Sequence, residues 1–341
     1  MGGTGELPLA LQRRPRAEEP GLRRRVRRAG RRRRRQWAPV TSRAPVSDRL
    51  AAFLELRPVL FGLAYRMLGT TTDADDVVQD AFVRWQAQDA VEVESPRAYL
   101  TTVVTRLCID RLTAARARRE SYPGTWLPEP VPVGDSDPAA VAEMADSLSL
   151  AFLVLLEELD PLSRAVFLLH DVFGYGFPEV SEMTGESPAN CRQLASRARR
   201  RVAERRRRFD ADVQQSYELA RRFVDACGSG DLGGLMTLLA EDVVVWTDGG
   251  GKARAAPRPV LGAHRASRFL VGIAKSLSPQ SGVELRLLNR QPGVVISDGG
   301  IATAAVVLDV SEGRIVGVRV VSNPDKLGAV QPGAWGSRAV P

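Results

Sequence analysis

The sequence predicts a multidomain protein: two all-α domains, the second ending in a helix-turn-helix, followed by an α+β domain. Three observations carry that reading. Residues 48–120 and 147–208 repeat their apolar side chains at helical spacing. Within the second block, FPEVSEMTGESPANCRQLASRARRRV (177–202) divides into two short helices around a tight turn. From residue 211 onward, two helical segments give way to valine-rich runs punctuated by glycine turns.

Composition sets the outer bounds. A chain of 341 residues fits roughly two domains of about 150 residues plus tails. It is 44% hydrophobic and 26% charged, as expected of a globular protein with ample core. Apolar runs fall well short of the ~20 residues that a membrane span needs, so no membrane partner is expected. Cys108, Cys191 and Cys227 are far apart, and His170 and His264 are the two histidines. That set offers neither a zinc site nor a disulfide framework, which suits a reducing cytoplasm; no metal or cofactor is expected.

The net charge of +8 is concentrated at one end. Residues 1–47 hold 14 Arg and 3 Glu, a local +11, which leaves −3 for the remainder. Without a periodic apolar face, this stretch reads as a disordered Arg-rich extension: a nonspecific nucleic-acid arm, a translated upstream region or a dispensable extension. No apolar segment follows the basic part, so it does not read as a secretory signal.

The first helical block opens with a strongly apolar stretch, 56–68, stopped by Gly69. DADDVVQDAFVRW (73–85) then places acidic residues in a first turn, where the helix dipole favours them. Val77, Ala81, Val83 and Trp85 form its apolar side, and Asp75, Asp76, Gln79 and Asp80 its polar side. Ser95-Pro96 starts a third helix with Leu100, Val103, Val104 and Leu107 as the buried stripe. Arg97, Arg106, Arg111, Arg116, Arg118 and Arg119 project elsewhere, a basic surface suited to phosphates. Residues 121–146 are too rich in proline and turn formers for a regular element and read as a linker. Trp126 and Leu127 within it call for a docking surface.

In the second block, Asp160-Pro161 caps the latter of two apolar helices, and His170 reads as a packing or capping residue. Phe177, Val180 and Met183 form the inner side of the first short helix, and Gly185 supplies the positive φ that ends it. Ser187-Pro188 opens the next helix, which buries Cys191, Leu194, Ala195, Ala198 and Val202. Its outer faces carry Asn190, Arg192, Gln193, Ser196, Arg197, Arg199 and Arg200. Asn, Gln and Arg can make bidentate contacts to base edges, and the Arg run can neutralise phosphates. Arg205–Arg208 closes the block.

Residues 211–327 read as an α+β domain: helices at about 217–227, 235–240 and 263–277, with strands at 243–247, 283–289, 293–297, 301–310 and 314–321. The turns between the later strands suggest a curved antiparallel sheet packed on helices. Residues 328–341 read as a flexible tail.

Three separated stretches resemble one family. DADDVVQDAFVRW followed by SPRAYLTTVVTRLCIDRL resembles region 2 of bacterial extracytoplasmic-function sigma factors. LDPLSRAVFLLHDVFGYGFPEVSEMTGESPANCRQLASRARRRV resembles their region 4. WLPEP (126–130), DGGGK (248–252) and NPDKL (323–327) are similar to motifs of the sigma J subgroup, whose members carry a C-terminal SnoaL-like domain, a cone-shaped α+β fold with a pocket. The Arg-rich stretch before Asp48 departs from the family pattern.

The resemblance implies a sigma factor that binds core RNA polymerase, through the β′ clamp helices and the β flap, and directs it to promoters. Asp75, Asp76, Gln79 and Asp80 would dock on the clamp helices. Residues 87–97 correspond to the loop that captures an unstacked −10 base, with Arg97, Thr101, Arg106 and Arg111 on the adjoining helix. The recognition helix, with Ser187, Asn190, Arg192, Gln193, Ser196, Arg197, Arg199 and Arg200, would enter the major groove at the −35 element. Trp126, Leu127, Pro128, Asp248, Lys252, Asn323, Asp325 and Lys326 would form regulatory contacts between the C-terminal domain and the sigma regions.

Two alternatives stand beside this reading. A plain helix-turn-helix regulator would use residues 177–202 alone and leaves the region 2 pattern unexplained. A SnoaL-like enzyme fused to a DNA-binding module would need an acid or base in the pocket, for which Asp248, His264 and Asp309 are the candidates. A fold does not by itself supply chemistry, and DGGGK lacks the glycine-lysine spacing of a P-loop. The sequence therefore points to no catalytic residues, and leaves open a small-molecule ligand in the C-terminal pocket.

Overall fold

The computed structural model describes residues 46–88, 93, 95–120, 122–132, 149–206 and 213–331. The Arg-rich extension up to residue 45, residues 89–92 and 94 of the loop expected to capture a −10 base, the second half of the linker and residues 332–341 lie outside the described residues. The expected flexible tail from 328 is corrected at its start: Gly328–Val330 is a 3-10 turn whose Val330 packs into the core.

The first helical group comprises α1 (Val46–Leu68), α2 (Thr71–Ala87) and α3 (Pro96–Glu120). Gly69 stops α1 at φ +80°, its N–H returning to the Tyr65 carbonyl at 2.8 Å. A side chain there would also meet the Trp126 ring at 2.5 Å, so glycine is required for the turn and for the close approach. Helix α2 begins earlier than the acidic run suggested. Thr70 is its N-cap, accepting from the Asp73 N–H while its hydroxyl donates to the Asp73 carboxylate at 2.6 Å. Its buried side is Ala74, Val77, Val78, Ala81 and Trp85. Val83, expected on that side, is 59% exposed, because it lies two residues from Ala81 and so about 200° around the helix.

The second group comprises α4 (Leu150–Glu157), α5 (Pro161–Phe167) with a π-helical extension through Val172, α6 (Phe177–Thr184) and α7 (Pro188–Arg206). Asp160 caps α5 by accepting from the Ser163 N–H at 2.9 Å. Gly185 ends α6 at φ +80°, and Ser187 Oγ accepts the Asn190 N–H to open α7. Val180, Met183, Cys191, Leu194, Ala195, Ala198 and Val202 are buried, so the two short helices pack through the residues their spacing selects. His170 stacks on Phe177 at 4.0 Å, with Nδ1 2.7 Å from the Tyr175 carbonyl oxygen, a packing role.

The C-terminal domain contains α8 (Val213–Ser229), α9 (Leu232–Leu238), β1 (Leu239–Asp248), β2 (Val260–Leu261), α10 (Ala263–Lys275), β3 (Gly282–Leu288), β4 (Gln291–Asp298), β5 (Ile301–Ser311) and β6 (Arg314–Val321). The six strands run in the order β2-β1-β6-β5-β4-β3. The sheet is mixed: β1 pairs with β6 in parallel, and the other pairs are antiparallel. The expected fully antiparallel sheet is thus corrected. The turns between β3, β4, β5 and β6 are hairpins, whereas β1 reaches β6 only through the whole intervening domain, a connection that leaves its direction free.

Alternation along the strands sends side chains to two cores. Val294, Ile296, Val306, Leu308 and Val318 pack with Leu219, Phe223, Leu235 and Leu270 of the domain's own helices. Val295, Ala305, Val307 and Val321 join the core that includes Leu100, Leu127, Leu150 and Leu156. The sheet therefore shares one face with the helical groups. No described helix is long and apolar enough to cross a membrane.

Candidate functional site

Helix α7 presents Arg192, Gln193, Ser196, Arg197 and Arg200 as exposed residues opposite its buried stripe. A row of bidentate donors on one exposed helix face is what major-groove reading requires. Three other expected DNA contacts have internal partners. Ser187 is the helix cap, Asn190 Nδ2 donates to Glu186 Oε2 at 2.7 Å, and Arg199 Nε donates to Asp171 Oδ1 at 2.5 Å.

The expected −10 residues on α3 are all engaged. Arg97 Nε donates to the Tyr175 hydroxyl at 3.2 Å, with its guanidinium over the same ring. Thr101 is buried, its hydroxyl 3.2 Å from that of Tyr175. Arg106 donates to the Met183 and Glu182 carbonyls at the end of α6. The segment 175–183 of the second helical group therefore lies across the basic side of α3. A buried cation joins the two helical groups at a second place: Arg164 Nη1 donates to the Met67 carbonyl of α1 at 2.6 Å and to Glu157 at 2.7 Å. Burial pulls its guanidinium down to about 9.

Arg111 belongs to another surface. It lies 3.4 Å from Asp76 and 3.2 Å from Asp80, and Arg57 pairs with Asp75 at 2.9 Å. Asp75, Asp76, Gln79 and Asp80 are exposed along one side of α2. Arg111 thus sits with the acidic face, apart from the other basic residues of α3.

The three short motifs meet at one buried carboxylate. Asp248 accepts the Tyr122 hydroxyl at 2.6 Å, the Leu127 N–H at 2.8 Å and the Lys326 ammonium at 2.7 Å. Lys326 also donates to the Leu127 carbonyl and lies over the Tyr122 and Trp126 rings. Asn323 donates to the Tyr122 hydroxyl at 3.0 Å, and Lys252 pairs with Asp325 at 2.5 Å on the exposed rim. Pro128 is buried beside this cluster in sequence. Burial, followed by the Asp248 carboxylate beside it, pushes the Tyr122 phenol well above its usual range. The lysine counter-charge and the converging donors allow a carboxylate to stay buried here.

Sequence reasoning missed Tyr122, Asn289 and Gln291, and marked Glu129 only as part of the WLPEP motif. Glu129 accepts from the Thr71 N–H and hydroxyl at 2.7 and 2.8 Å. Asn289 and Val131 exchange two hydrogen bonds, and Asn289 Nδ2 donates to the Tyr65 hydroxyl. Gln291 accepts the Leu150 N–H at 2.8 Å and donates to Asp309 at 3.0 Å. Tyr122 joins the linker to the C-terminal domain, and the other three join linker or domain to a helical group, meetings between parts of the chain distant in sequence.

The three candidate acid–base residues do not converge. Asp248 is consumed by the motif cluster, Asp309 is buried in an ion pair with Arg319, and His264 is exposed at the start of α10. A catalytic site needs its groups in mutual reach.

Comparison with known proteins agrees with this arrangement. The Sigma-70 region 2 model matches residues 52–118 and the Sigma-70, region 4 model matches 149–202. The chain is 39% identical over 290 residues to the ECF RNA polymerase sigma factor SigJ of Mycobacterium tuberculosis, covering 82% of this chain and 93% of that one. It is 32% identical over 285 residues to the probable ECF sigma factor SigI of the same species, covering 83% and 95%. The crystal structure of M. tuberculosis SigJ superposes with a TM-score of 0.66 at 37% identity, covering 82% of this chain and 98% of that one. With an acidic helix, a basic helix and a helix-turn-helix in family order, and with relatives matched over most of both chains, the chain belongs to the extracytoplasmic-function sigma factors, which bind core RNA polymerase and direct it to promoters.

Proposed function

We propose that the C-terminal domain governs when this non-enzymatic initiation factor engages its promoter in the cytoplasm. In this reading Asp75, Asp76, Gln79 and Asp80 dock on the β′ clamp helices, and the second helical group reaches the β flap. Arg192, Gln193, Ser196, Arg197 and Arg200 read the −35 element, with Arg199 on a phosphate. Arg97, Thr101 and Arg106 serve the −10 element once segment 175–183 moves away from α3. Arg111 braces the acidic helix. The linker motif, residues 248–252 and residues 323–327 form the fastening that holds the three parts together.

The observation that carries this reading is the buried Asp248 carboxylate, which one linker hydroxyl, one linker amide and one C-terminal ammonium all address. Such a contact binds linker and domain together as long as the domain keeps its fold. It gives a ligand or a partner at the C-terminal domain a direct route to the linker.

Runoff transcription with purified core enzyme tests the proposal. The full chain supports promoter-dependent transcription, and Asp248→Asn changes its level at fixed core concentration. Equal transcript from the full chain, the Asp248→Asn variant and a chain ending at residue 210 would remove the regulatory role. No transcript from any of them would remove the promoter assignments as well.

A further inference from the structure

Helix α2 carries the acidic face, and its N-terminus is held by a residue outside the first helical group. Both Glu129 carboxylate oxygens are used there, on the Thr71 N–H and the Thr71 hydroxyl. The Glu129 N–H donates to the Gly69 carbonyl at 2.8 Å, so the linker is tied to the α1–α2 turn by backbone as well. A carboxylate at a helix N-terminus satisfies an amide left over by the helix and lies at the positive end of its dipole.

Glu129 is in turn held from the sheet. The Tyr65 hydroxyl donates to the Glu129 carbonyl at 2.6 Å and accepts from Asn289 Nδ2 at 2.8 Å. Asn289 N–H donates to the Val131 carbonyl at 2.7 Å, and Asn289 Oδ1 accepts the Val131 N–H at 2.9 Å. Asn289 is buried, with φ +51°, and Arg290 follows at +61°, the tip of the β3–β4 hairpin. Both amide functions of the side chain are occupied, and asparagine tolerates the left-handed backbone that the two-residue hairpin demands.

We infer that Asn289 is a positioning residue for polymerase binding: from the hairpin tip it holds Glu129 on the N-terminus of α2 and so fixes the acidic face. The inference rests on the reading of that face as the polymerase-docking surface, and gives the C-terminal domain a supporting part in core binding. The path from Asn289 to Thr71 runs through Tyr65 and Glu129, separate from the Asp248 cluster.

The test uses the full chain and purified core polymerase, with Asn289→Gly, Tyr65→Phe, Glu129→Gln and the Asn289→Gly/Glu129→Gln double variant. Glycine keeps the hairpin backbone and deletes only the side-chain contacts; phenylalanine keeps the ring and deletes the bridging hydroxyl. Each single variant should weaken core binding about 3- to 10-fold, and the double variant should be no weaker than the weaker single, as expected along one path. Hydrogen exchange at the Thr71 amide should quicken about tenfold in Asn289→Gly. Additive losses, or core affinity and Thr71 exchange both within about twofold of the parent, overturn the inference. Asp80→Asn separates the two layers. If it leaves core binding unchanged, the docking assignment fails and the polymerase role of Asn289 falls with it, while Thr71 exchange still decides whether Asn289 holds the cap.

Discussion

The Lys326 ammonium lies 2.7 Å from the Asp248 carboxylate, with both residues buried. A buried pair of this kind is neutral in sum but strongly unbalanced once a partner is removed. Lys326→Met leaves the carboxylate with the Tyr122 hydroxyl and Leu127 amide but without its charge partner. It should lose about 3 kcal/mol of unfolding free energy in a urea titration. Adding Asp248→Asn in the same chain should recover most of that loss, since the stranded charge is then gone. If the double variant is as unstable as the sum of the singles, the pair is not the source of the effect.

The thiols should be quiet in the native state. Cys108 and Cys191 are buried, and burial pushes the half-buried Cys227 up to about 12. At pH 8 its thiolate is then only about one part in ten thousand, against roughly a quarter for an unperturbed thiol. Iodoacetamide at pH 8 should leave all three unmodified in the folded protein and alkylate all three in guanidinium. Rapid native alkylation at Cys227 would show that the helix packing around it opens readily.

Where local chemistry decides structure, the sequence was readable. Gly185, Ser187 and Pro188 mark the turn of the helix-turn-helix because a positive φ and a side-chain cap act within a few residues. The acidic side of α2 can be read from spacing, although apolar character alone places Val83 on the wrong side. The seam was only partly legible. Trp126 stands out as an aromatic in a linker that calls for a docking surface, whereas Tyr122 meets Asp248 across 126 residues and Asn289 meets Tyr65 across 224. Neither spacing nor composition encodes such meetings, because they depend on how a finished sheet packs on finished helices. The parallel pairing of β1 with β6 lies beyond local patterns for the same reason.

Asp160 gives a pH-dependent test of the cap on α5. Partial burial alone would raise its carboxyl, but hydrogen bonds from Ser163 and the nearby Arg197 charge outweigh that and hold it below the usual carboxylate range. A depressed folded value means that the native state binds the proton less readily than the unfolded chain. Its contribution is therefore complete above about pH 4, the unfolded value, and is lost as pH falls through the lower folded value. Asp160→Ala should lower stability by about 1 kcal/mol at pH 7. In denaturant titrations the gap between parent and variant should narrow below pH 4; a gap that widens there would contradict the assignment.

In the proposed reading, α7 separates base reading from phosphate contact within a few residues. Arg192 and Gln193 are exposed on its outer face, while Arg199 is held by Asp171 at 2.5 Å. Arg192→Ala or Gln193→Ala should cost about 1–3 kcal/mol at one −35 position and relax specificity there, because a bidentate contact discriminates one base. Arg199→Ala should instead weaken holoenzyme binding on every promoter and lower the salt slope by about one unit, the signature of one lost phosphate contact. Asp171 adds an opposite arm. In Asp171→Asn, Arg199 is released from its carboxylate, so binding should strengthen on every promoter and most at low salt. Equal losses across all promoters for Arg192→Ala, Gln193→Ala and Arg199→Ala would show that this face grips the backbone without reading sequence.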